Sequence, residues 1–379
     1  MAQDSSDAQA GLQRISRLTP LCAILALIDT RLAPVKARKY ASGAAAGLTL
    51  ADDIVTAQRP TAALALTDGF AVDAAAVADA GPYAPVRLAS LPRWVGAGEF
   101  LPSGFDAVAP RDAVIERGES IEVIAPVVTG QGVLAAGGDA AAQTVLRRAG
   151  ERLRDIDCAL AASAGFAELN IREPRIWIAR GQAGAPMPVD AGLAMLARFV
   201  GKAGGAVHGE STQLHEALAR DEADAVIAVG GTGDGAGDDS VRTLARLGQV
   251  AAHGIAISPG ETAAFGFAGA RPVLLLPGRL DAVLAVWLLL GRPLVAKLAG
   301  GAGDGDHEPA RALPLKRKAT STIGMTEIVP VRCAGGMAEP LASGYLSLTA
   351  LAQSDGWIVV PADSEGFPQS AQVSVRSWP

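Results

Sequence analysis

The stretch AVGGTGDGAGDDSV, from Ala228 to Val241, crowds glycines and three aspartates between an apolar run and an amphipathic one. Glycine lets backbone N–H groups face an anion, and a helix that follows offers the positive end of its dipole. Asp234, Asp238 and Asp239 place negative charge in the same loop, so a bare phosphate is repelled there unless a divalent cation mediates. The competing reading is structural. Asp238 or Asp239 caps a helix beginning near Ser240, and the glycines only turn the chain. Nucleotide motifs do not choose between the two. No Gly-Lys-Ser/Thr follows, as a Walker A loop requires, and the acidic spacing is not that of an EF-hand. GTGDGA (Gly231–Ala236) satisfies G-x-G-x-x-G/A on paper, but no acidic residue ends a strand about twenty positions on. A nicotinamide dehydrogenase has only that pattern behind it.

Other chemistry is sparse. His208, His215, His253 and His307 lack metal-ligand spacing, and His253 in AAHGIAI reads as a packed, satisfied histidine. Neither H-E-x-x-H nor a nucleophile elbow occurs. Cys22, Cys158 and Cys333 lie far apart with no C-x-x-C pair, and read as reduced thiols of a cytoplasmic protein. Trp94, Trp177 and Trp287 read as packing residues. A net charge of −6 without a Lys/Arg stripe argues against nucleic acid.

The elements that must position the glycine loop are legible as a rhythm. Half of the chain is hydrophobic, ample for several cores in 379 residues. Residues 11–30 show helical spacing, 39–52 are mixed, and 60–127 alternate short apolar stretches (FAVDAAAV, VRLASL, DAVAP, IEVIAPV) with Pro/Gly turns, a β-rich domain. Residues 140–165 read as helical again, so two helical flanks bracket the β-rich insert. From Pro174 the pattern is βαβ: strands RIWIAR, DAVIAVGG and VLLLPG alternate with helices, which predicts a parallel sheet covered on both faces. Ligands on such sheets bind at the carboxyl ends of strands, where Gly230–Asp239 and Pro277–Arg279 lie. The run from Leu280 to Gly300 is apolar, but Arg292 and Pro293 interrupt it, so a buried helix is expected rather than a membrane span. The polar N-terminus has no signal-peptide pattern. Residues 300–310 read as a linker, and 318–379 as a small terminal β-barrel or sandwich.

The order of the loops adds what no single loop gives. VGGTGDGAGDDS, then GIAISPGETAAFGF, then VLLLPGRLDAVL resemble three successive motifs of the molybdopterin molybdenumtransferase family, the molybdate insertases that include bacterial MoeA and the E domain of gephyrin. The family reads GGVSVGxxD, a KPGKP region, and LPGNP. LALTDGFAVDAA resembles SAMDGYAVRA. VGAGEFLPSGFDAVAPRDAV, GGDAAAQTVLRRAGERL and the terminal PLASGYLSLTALAQSDGWIVVPADSEG match further family motifs, so the resemblance covers nearly the whole chain.

The resemblance implies a multidomain α/β plus β fold. A discontinuous helical domain I spans 1–59 and 139–173, and a β-rich domain II spans 60–138. A MogA-like α/β molybdopterin-binding domain III spans 174–303, and a C-terminal β-barrel domain IV spans 312–379. It also implies an elongated homodimer whose cleft lies between domain III of one subunit and domain II of the other. Family members bind adenylylated molybdopterin and molybdate, cleave the adenylate with the help of Mg²⁺ or another divalent cation, and leave molybdenum on the dithiolene. A pyrophosphate linkage needs a cation to neutralise it, so carboxylates must reach the cleft.

Carried over residue by residue, Asp68, Asp139 and Asp238 match the family's acidic positions as catalytic candidates, Asp68 and Asp238 also as metal ligands. Gly230, Gly231, Gly235, Pro259, Gly260, Pro277 and Gly278 match as cofactor-binding backbone, with Gly233 in the same loop and Ser343 and Ser347 in the last domain. The departures sit in the expected cleft. The family's Ser and Met before the first Asp are Ala65 and Thr67, the Thr of its TGA is Ala97, and Asp112 stands for a later acid. IWIARGQAG puts Arg180 and Ala183 at its Thr and Glu, and Gly233 replaces a Ser. Both lysines of KPGKP are Ser258 and Glu261, and Arg279-Leu280 replaces Asn-Pro. Arg180 and Arg279 are the candidates to restore positive charge, since arginine grips oxyanions with a fork of donors. Two readings follow: an insertase that releases AMP, or a non-catalytic binding, storage or delivery protein serving a client molybdoenzyme. Neither involves nucleic acid or a membrane.

Overall fold

Apolar side chains point to both faces of the strands after Pro174, and a sheet buried on both sides results. The computed structural model describes residues 13, 15–88, 93–117, 120–181, 187–211, 213–301 and 310–379. The polar stretch up to residue 12, Ala183, His307, the linker from 302 to 309 and part of VRLASL lie outside them. The chain divides into two compact units: Asp53–Arg148 with Leu160–Phe166 form one, and the remainder forms the other.

The larger unit is organised around a six-stranded sheet. Its elements are β1 (Arg175–Arg180), α1 (Met187–Lys202), β2 (Ala206–Ser211), α2 (Leu214–Ala219), β3 (Ala225–Val229), α3 (Ser240–Leu247), β4 (Gln249–His253), β5 (Ala264–Ala268), β6 (Arg271–Leu276) and α4 (Leu280–Ala299). The order is β2-β1-β3-β6-β5-β4. In β1, Ile176 and Ile178 enter one core with Leu196, Val200, Val283 and Trp287. Trp177 and Ala179 enter the other with Leu214, Leu218 and Leu244. Period-two alternation into two cores is why these strands are apolar throughout.

The expectation of a wholly parallel sheet needs correction. β2, β1, β3 and β6 run parallel, but β5 is antiparallel to both of its neighbours, β6 and β4. Only Gly269 and Ala270 separate β5 from β6, with Gly269 at φ 62°. A parallel partner needs a crossover of about a dozen residues, so this link can only make a hairpin.

The run from Leu280 is the buried helix expected of it, and Arg292-Pro293 do not end it. Leu280–Ala299 is one 20-residue helix, and 83% of its apolar window is buried. The turn Trp287–Gly291 widens to a π-helix just before Pro293, where the ring cannot donate a hydrogen bond. A β-carbon on Gly291 would meet the Trp287 ring at 2.4 Å, so the widened turn also requires glycine. Each fully buried Leu or Val of this helix contributes about 1.5–3 kcal/mol, which makes it a core helix by energetics as well as position.

Two helical expectations shrink. Over 11–30 the helix is Leu21–Arg31, because Pro20 forces the residues before it into extended conformation. Over 140–165 the helix is Asp155–Ser163. Thr144–Arg147 is instead a strand paired with Ile54–Thr56, and Gly150 at φ 85° precedes a bridge between Arg152 and Thr49. Strand pairing overrides the local helical pattern there. The larger unit also contains a three-stranded sheet made by Arg38–Ala41, Glu168–Arg172 and Thr49–Leu50.

The C-terminal residues build strands Arg311–Pro314, Thr326–Ala334, Met337–Pro340, Gly356–Val360 and Gln372–Ser377 around Leu313, Val329, Val331, Ile358, Val373 and Val375. Ile257–Ser258 joins this sheet, parallel to Thr326–Glu327. The other compact unit is β-rich. Gly69–Val72 lies between Trp94–Val95 and Ala107–Ala109, over a core of Phe70, Val72, Val77, Ala107 and Val123.

Candidate functional site

β1, β3 and β6 are parallel neighbours, so the loops at their carboxyl ends lie side by side. They are tied at the backbone: Gly181 N donates to Val229 O at 2.9 Å and Gly230 N to Leu276 O at 2.8 Å. A β-carbon on Gly181 would stand 1.9 Å from Gly230 O, and Gly278 lies against Gly230 Cα. Gly230 and Gly231 take φ of 95° and 72°. The glycines are there because three backbones converge.

Within the loop, Asp238 Oδ2 accepts from Gly235 N at 2.9 Å, which folds the glycines back on the half-buried carboxylate. A β-carbon on Gly233 would lie 2.6 Å from the same oxygen. Thr232 meets Thr262 hydroxyl to hydroxyl at 2.9 Å, and His253 Nε2 donates to Thr232 O at 2.9 Å. His253 is the satisfied histidine expected of it.

The helix begins at Ser240, but neither aspartate caps it, contrary to the structural reading of the loop. Asp239 stands at the N-cap with no side-chain cap bond, its carboxylate turned to Arg242, Thr243 and Arg246. The capping group comes from Gln13. Its Oε1 accepts from Val241 N at 2.8 Å and Arg242 N at 3.1 Å, and its Nε2 donates to Gly231 O at 2.9 Å and Gly233 O at 2.8 Å. Sequence reasoning missed Gln13. A lone glutamine more than two hundred residues from its loop leaves no local signal.

The next cluster lies where the sheet meets the C-terminal strands. Asp281, 4% exposed, accepts both donors of Arg279 at 3.1 and 2.6 Å, and also the N–H groups of Ala282 and Leu346. The guanidinium lies 5.0 Å over the Tyr345 ring. Hydrogen bonding to Asp281 pushes Arg279 above its usual pKa, against desolvation, with help from the charges of Asp281, Glu261 and Tyr345. Buried Pro259 and Gly260 follow Ser258, and Gly260 packs on Val286. Glu261 accepts from Gly260 N at 3.1 Å. Ser343 Oγ reaches Thr320 O and the buried Glu327 carboxylate, at 3.1 and 2.7 Å. Ser347 caps the helix Leu348–Ala352. Arg180 pairs with Asp190.

The larger unit therefore brings together Arg180, Gly230, Gly231, Gly233, Gly235, Asp238, Pro277, Gly278 and Arg279, with Pro259 and Gly260 next to Glu261, whose charge acts on Arg279, and Ser343 held by Thr320 and Glu327. Both arginines expected to restore positive charge are paired with carboxylates. The β-rich unit holds Asp68 and Asp139 on separate exposed turns. Asp68 Oδ1 accepts from Ala97 N at 2.7 Å, and Asp139 N donates to Arg59 O at 3.0 Å. Asp139 precedes a turn and a strand, so it caps no helix. Among the described residues no cluster of three or more His, Cys, Asp or Glu surrounds a metal position.

Three family models align along this architecture. The MoeA N-terminal region (domain I and II) matches residues 12–165, the probable molybdopterin binding domain matches 180–297, and the MoeA C-terminal region (domain IV) matches 312–378. The chain belongs to the MoeA family. Its MoeA fold is shared with the molybdopterin biosynthesis MoeA protein of Pyrococcus horikosii, at TM-score 0.76 and 24% identity over 95% of this chain and 99% of that one. A molybdenum cofactor biosynthesis protein of Pyrococcus furiosus matches at TM-score 0.60 and 20% identity, over 96% and 100%. Curated relatives match over shorter stretches. A Methanocaldococcus jannaschii protein named for molybdopterin biosynthesis is 28% identical over 172 residues, 45% of this chain and 40% of its own length. The molybdopterin molybdenumtransferase of Synechococcus elongatus is 32% identical over 123 residues, 27% and 30%. The chain thus spans well under half of either curated relative. As a MoeA-family protein it belongs to molybdenum cofactor biosynthesis and carries a molybdopterin-binding domain.

Proposed function

We propose that the chain binds molybdopterin or its adenylate at the carboxyl edge of the central sheet and inserts molybdate, with release of AMP. In this reading it works as a cytoplasmic homodimer. The observation that carries it is the convergence of the loops after β1, β3 and β6, with Asp238 folded into the glycine loop. Backbone amides of that loop face the phosphates, and the half-buried Asp238 holds a carboxylate beside them.

The donor set fits a divalent cation such as Mg²⁺. That ion takes one or two carboxylates, several waters and substrate phosphate oxygens, rather than an all-protein cage. Asp238 would hold it and the ion would neutralise charge on the phosphoanhydride, while Asp68 enters the proposal on its match to the family motif alone. Asp139 is the third acid of the family pattern and enters the proposal on that match. Arg279, gripped by Asp281 and stacked on Tyr345, presents an oriented guanidinium to an oxyanion.

A second reading has its own observation. At the family's KPGKP lysines stand Ser258 and Glu261, and Glu261 lies close enough to Arg279 to act on its charge. Such a site suits a protein that holds or hands on the finished cofactor to a client molybdoenzyme. Purified chain incubated with adenylyl-molybdopterin, molybdate and Mg²⁺ separates the two. AMP release that Asp238→Asn abolishes supports insertion, tight binding without AMP supports the carrier, and absence of both removes the cofactor reading.

A further inference from the structure

The C-terminal strands enclose a cavity that the glycine-rich loops do not share. Residues 317–320 form one side of its lining and 340–343 the other, and buried Val329 lines it as well. Two hydrogen bonds join the sides: Arg317 Nη2 donates to Pro340 O, and Ser343 Oγ reaches Thr320 O at 3.1 Å. The volume is about 120 Å³. That is several times the ~10–15 Å³ a water needs, and short of the ~300–1,000 Å³ of sites for drug-sized ligands. A small polyatomic ion fits such a space and a pterin does not.

The charge of the cavity is one-sided. Arg317 and Lys318 line it, and no carboxylate does. Lys316, just before them, is differently placed: its ammonium lies 3.2 Å from Glu339, which Arg332 also holds at 2.9 Å. Lys318 has no hydrogen-bond or ion-pair partner among the described residues. Thr320 adds a hydroxyl to the lining, whereas the Ser343 hydroxyl is engaged by Thr320 O and, at 2.7 Å, by the buried Glu327 carboxylate. Two cations sharing one small cavity repel each other, and an anion between them removes that cost and is attracted to both. Arginine and lysine donors suit an oxyanion, the first as a fork and the second as a point charge.

We propose that this cavity binds a small tetrahedral oxyanion, molybdate or phosphate, through Arg317 and Lys318, with Thr320 as a third donor. The run LKRKAT, residues 315–320, lies outside the stretches matched to the family motifs, so the cations belong to this chain rather than to the motif pattern. With molybdate as the occupant, the cavity is a holding site for the inorganic substrate, and that role alone rests on the insertion reading.

Sodium molybdate and inorganic phosphate are the probes, each titrated calorimetrically into the full chain. Lys318→Ala should weaken binding about tenfold, the loss of one charge-assisted hydrogen bond. Lys318→Arg should keep most of the affinity. Lys316→Ala, which removes a charge already matched by Glu339, should change it by less than about twofold. The bound anion should also slow acetylation of Lys318 relative to Lys316, as peptide mass spectrometry would record. Failure of both anions to bind, unchanged affinity in Lys318→Ala, or an equal loss in Lys316→Ala overturns the proposal. Binding of phosphate but not molybdate, dependent on Lys318, upholds the oxyanion site and removes its link to insertion. AMP release from adenylyl-molybdopterin without a Lys318 effect on anion binding removes this site and keeps the proposed function. A Lys318 effect without AMP release does the reverse.

Discussion

A β-carbon on Gly233 would stand 2.6 Å from Asp238 Oδ2, so the residue that replaces the family's serine and the loop's acid share one small space. Gly233→Ser should turn the carboxylate away from Gly235 N. The lost hydrogen bond costs about 1 kcal/mol, because a side chain can move where backbone cannot. Chemical denaturation gives the stability change. An unaltered Asp238–Gly235 contact in the variant's crystal structure would contradict it.

Gly181 offers no such relief. Its missing β-carbon faces Gly230 O at 1.9 Å, and the two residues directly follow neighbouring parallel strands. Gly181→Ala should destabilise the chain by about 2–3 kcal/mol or more, the range of overpacked cores. A urea midpoint equal to wild type would show that the strands part more easily than their register implies.

Charge at Arg279 should govern affinity. Arg279→Glu puts a third carboxylate near Asp281 and Glu261 and should weaken molybdopterin binding at least about tenfold, or 1.4 kcal/mol. Arg279→Lys keeps the charge but loses the two-pronged bond to Asp281 and the contact with Tyr345, and should fall between. Unchanged dissociation constants for both variants would exclude Arg279 from the site.

Cys22 and Cys158 should separate by reactivity. Burial, then the charges of Asp155 and Asp157, push the Cys158 thiol above its ordinary pKa, whereas Cys22 is exposed. At pH 8 iodoacetamide should modify Cys22 first and reach Cys158 only on unfolding, as peptide mass spectrometry would record.

Glu339 gives a pH test. Hydrogen bonds from Arg332 and then Lys316 hold its carboxyl below the usual range. A depressed folded pKa contributes stability above the unfolded value of about 4.3, and that contribution disappears as pH falls through the folded one. Glu339→Gln should therefore melt slightly below wild type at pH 7, and the gap should close as pH falls through the folded pKa of Glu339. A gap that persists in acid would point to packing instead.

The βαβ rhythm and the loops at strand ends were readable because burial on both faces writes itself as continuous apolar strands, as in VIAV before Gly230. The antiparallel pair β5 and β4 was not. Phe265 and Phe267 look like any buried strand, and direction is decided by the two-residue link to β6. Thr144–Arg147 was misread for a related reason, since TVLRRAGERL has helical spacing and its partner Ile54–Thr56 is distant in sequence. In the site, glycines and acids were legible by type. Their electrostatics were not, because pairings such as Arg180 with Asp190 or Arg279 with Asp281 depend on geometry that spacing does not carry.

The pairing of Ile257–Ser258 with Thr326–Glu327 limits how the protein can be dissected. Ile328, Leu346 and Trp357 of the last domain share one core with Trp287 and Ile257. A fragment cut after Gly301, at the border suggested by composition, would expose that core and leave a bare strand edge open to intermolecular pairing. The molybdopterin-binding segment is therefore not a detachable module, and a soluble minimal version must keep the terminal strands or redesign the face they cover.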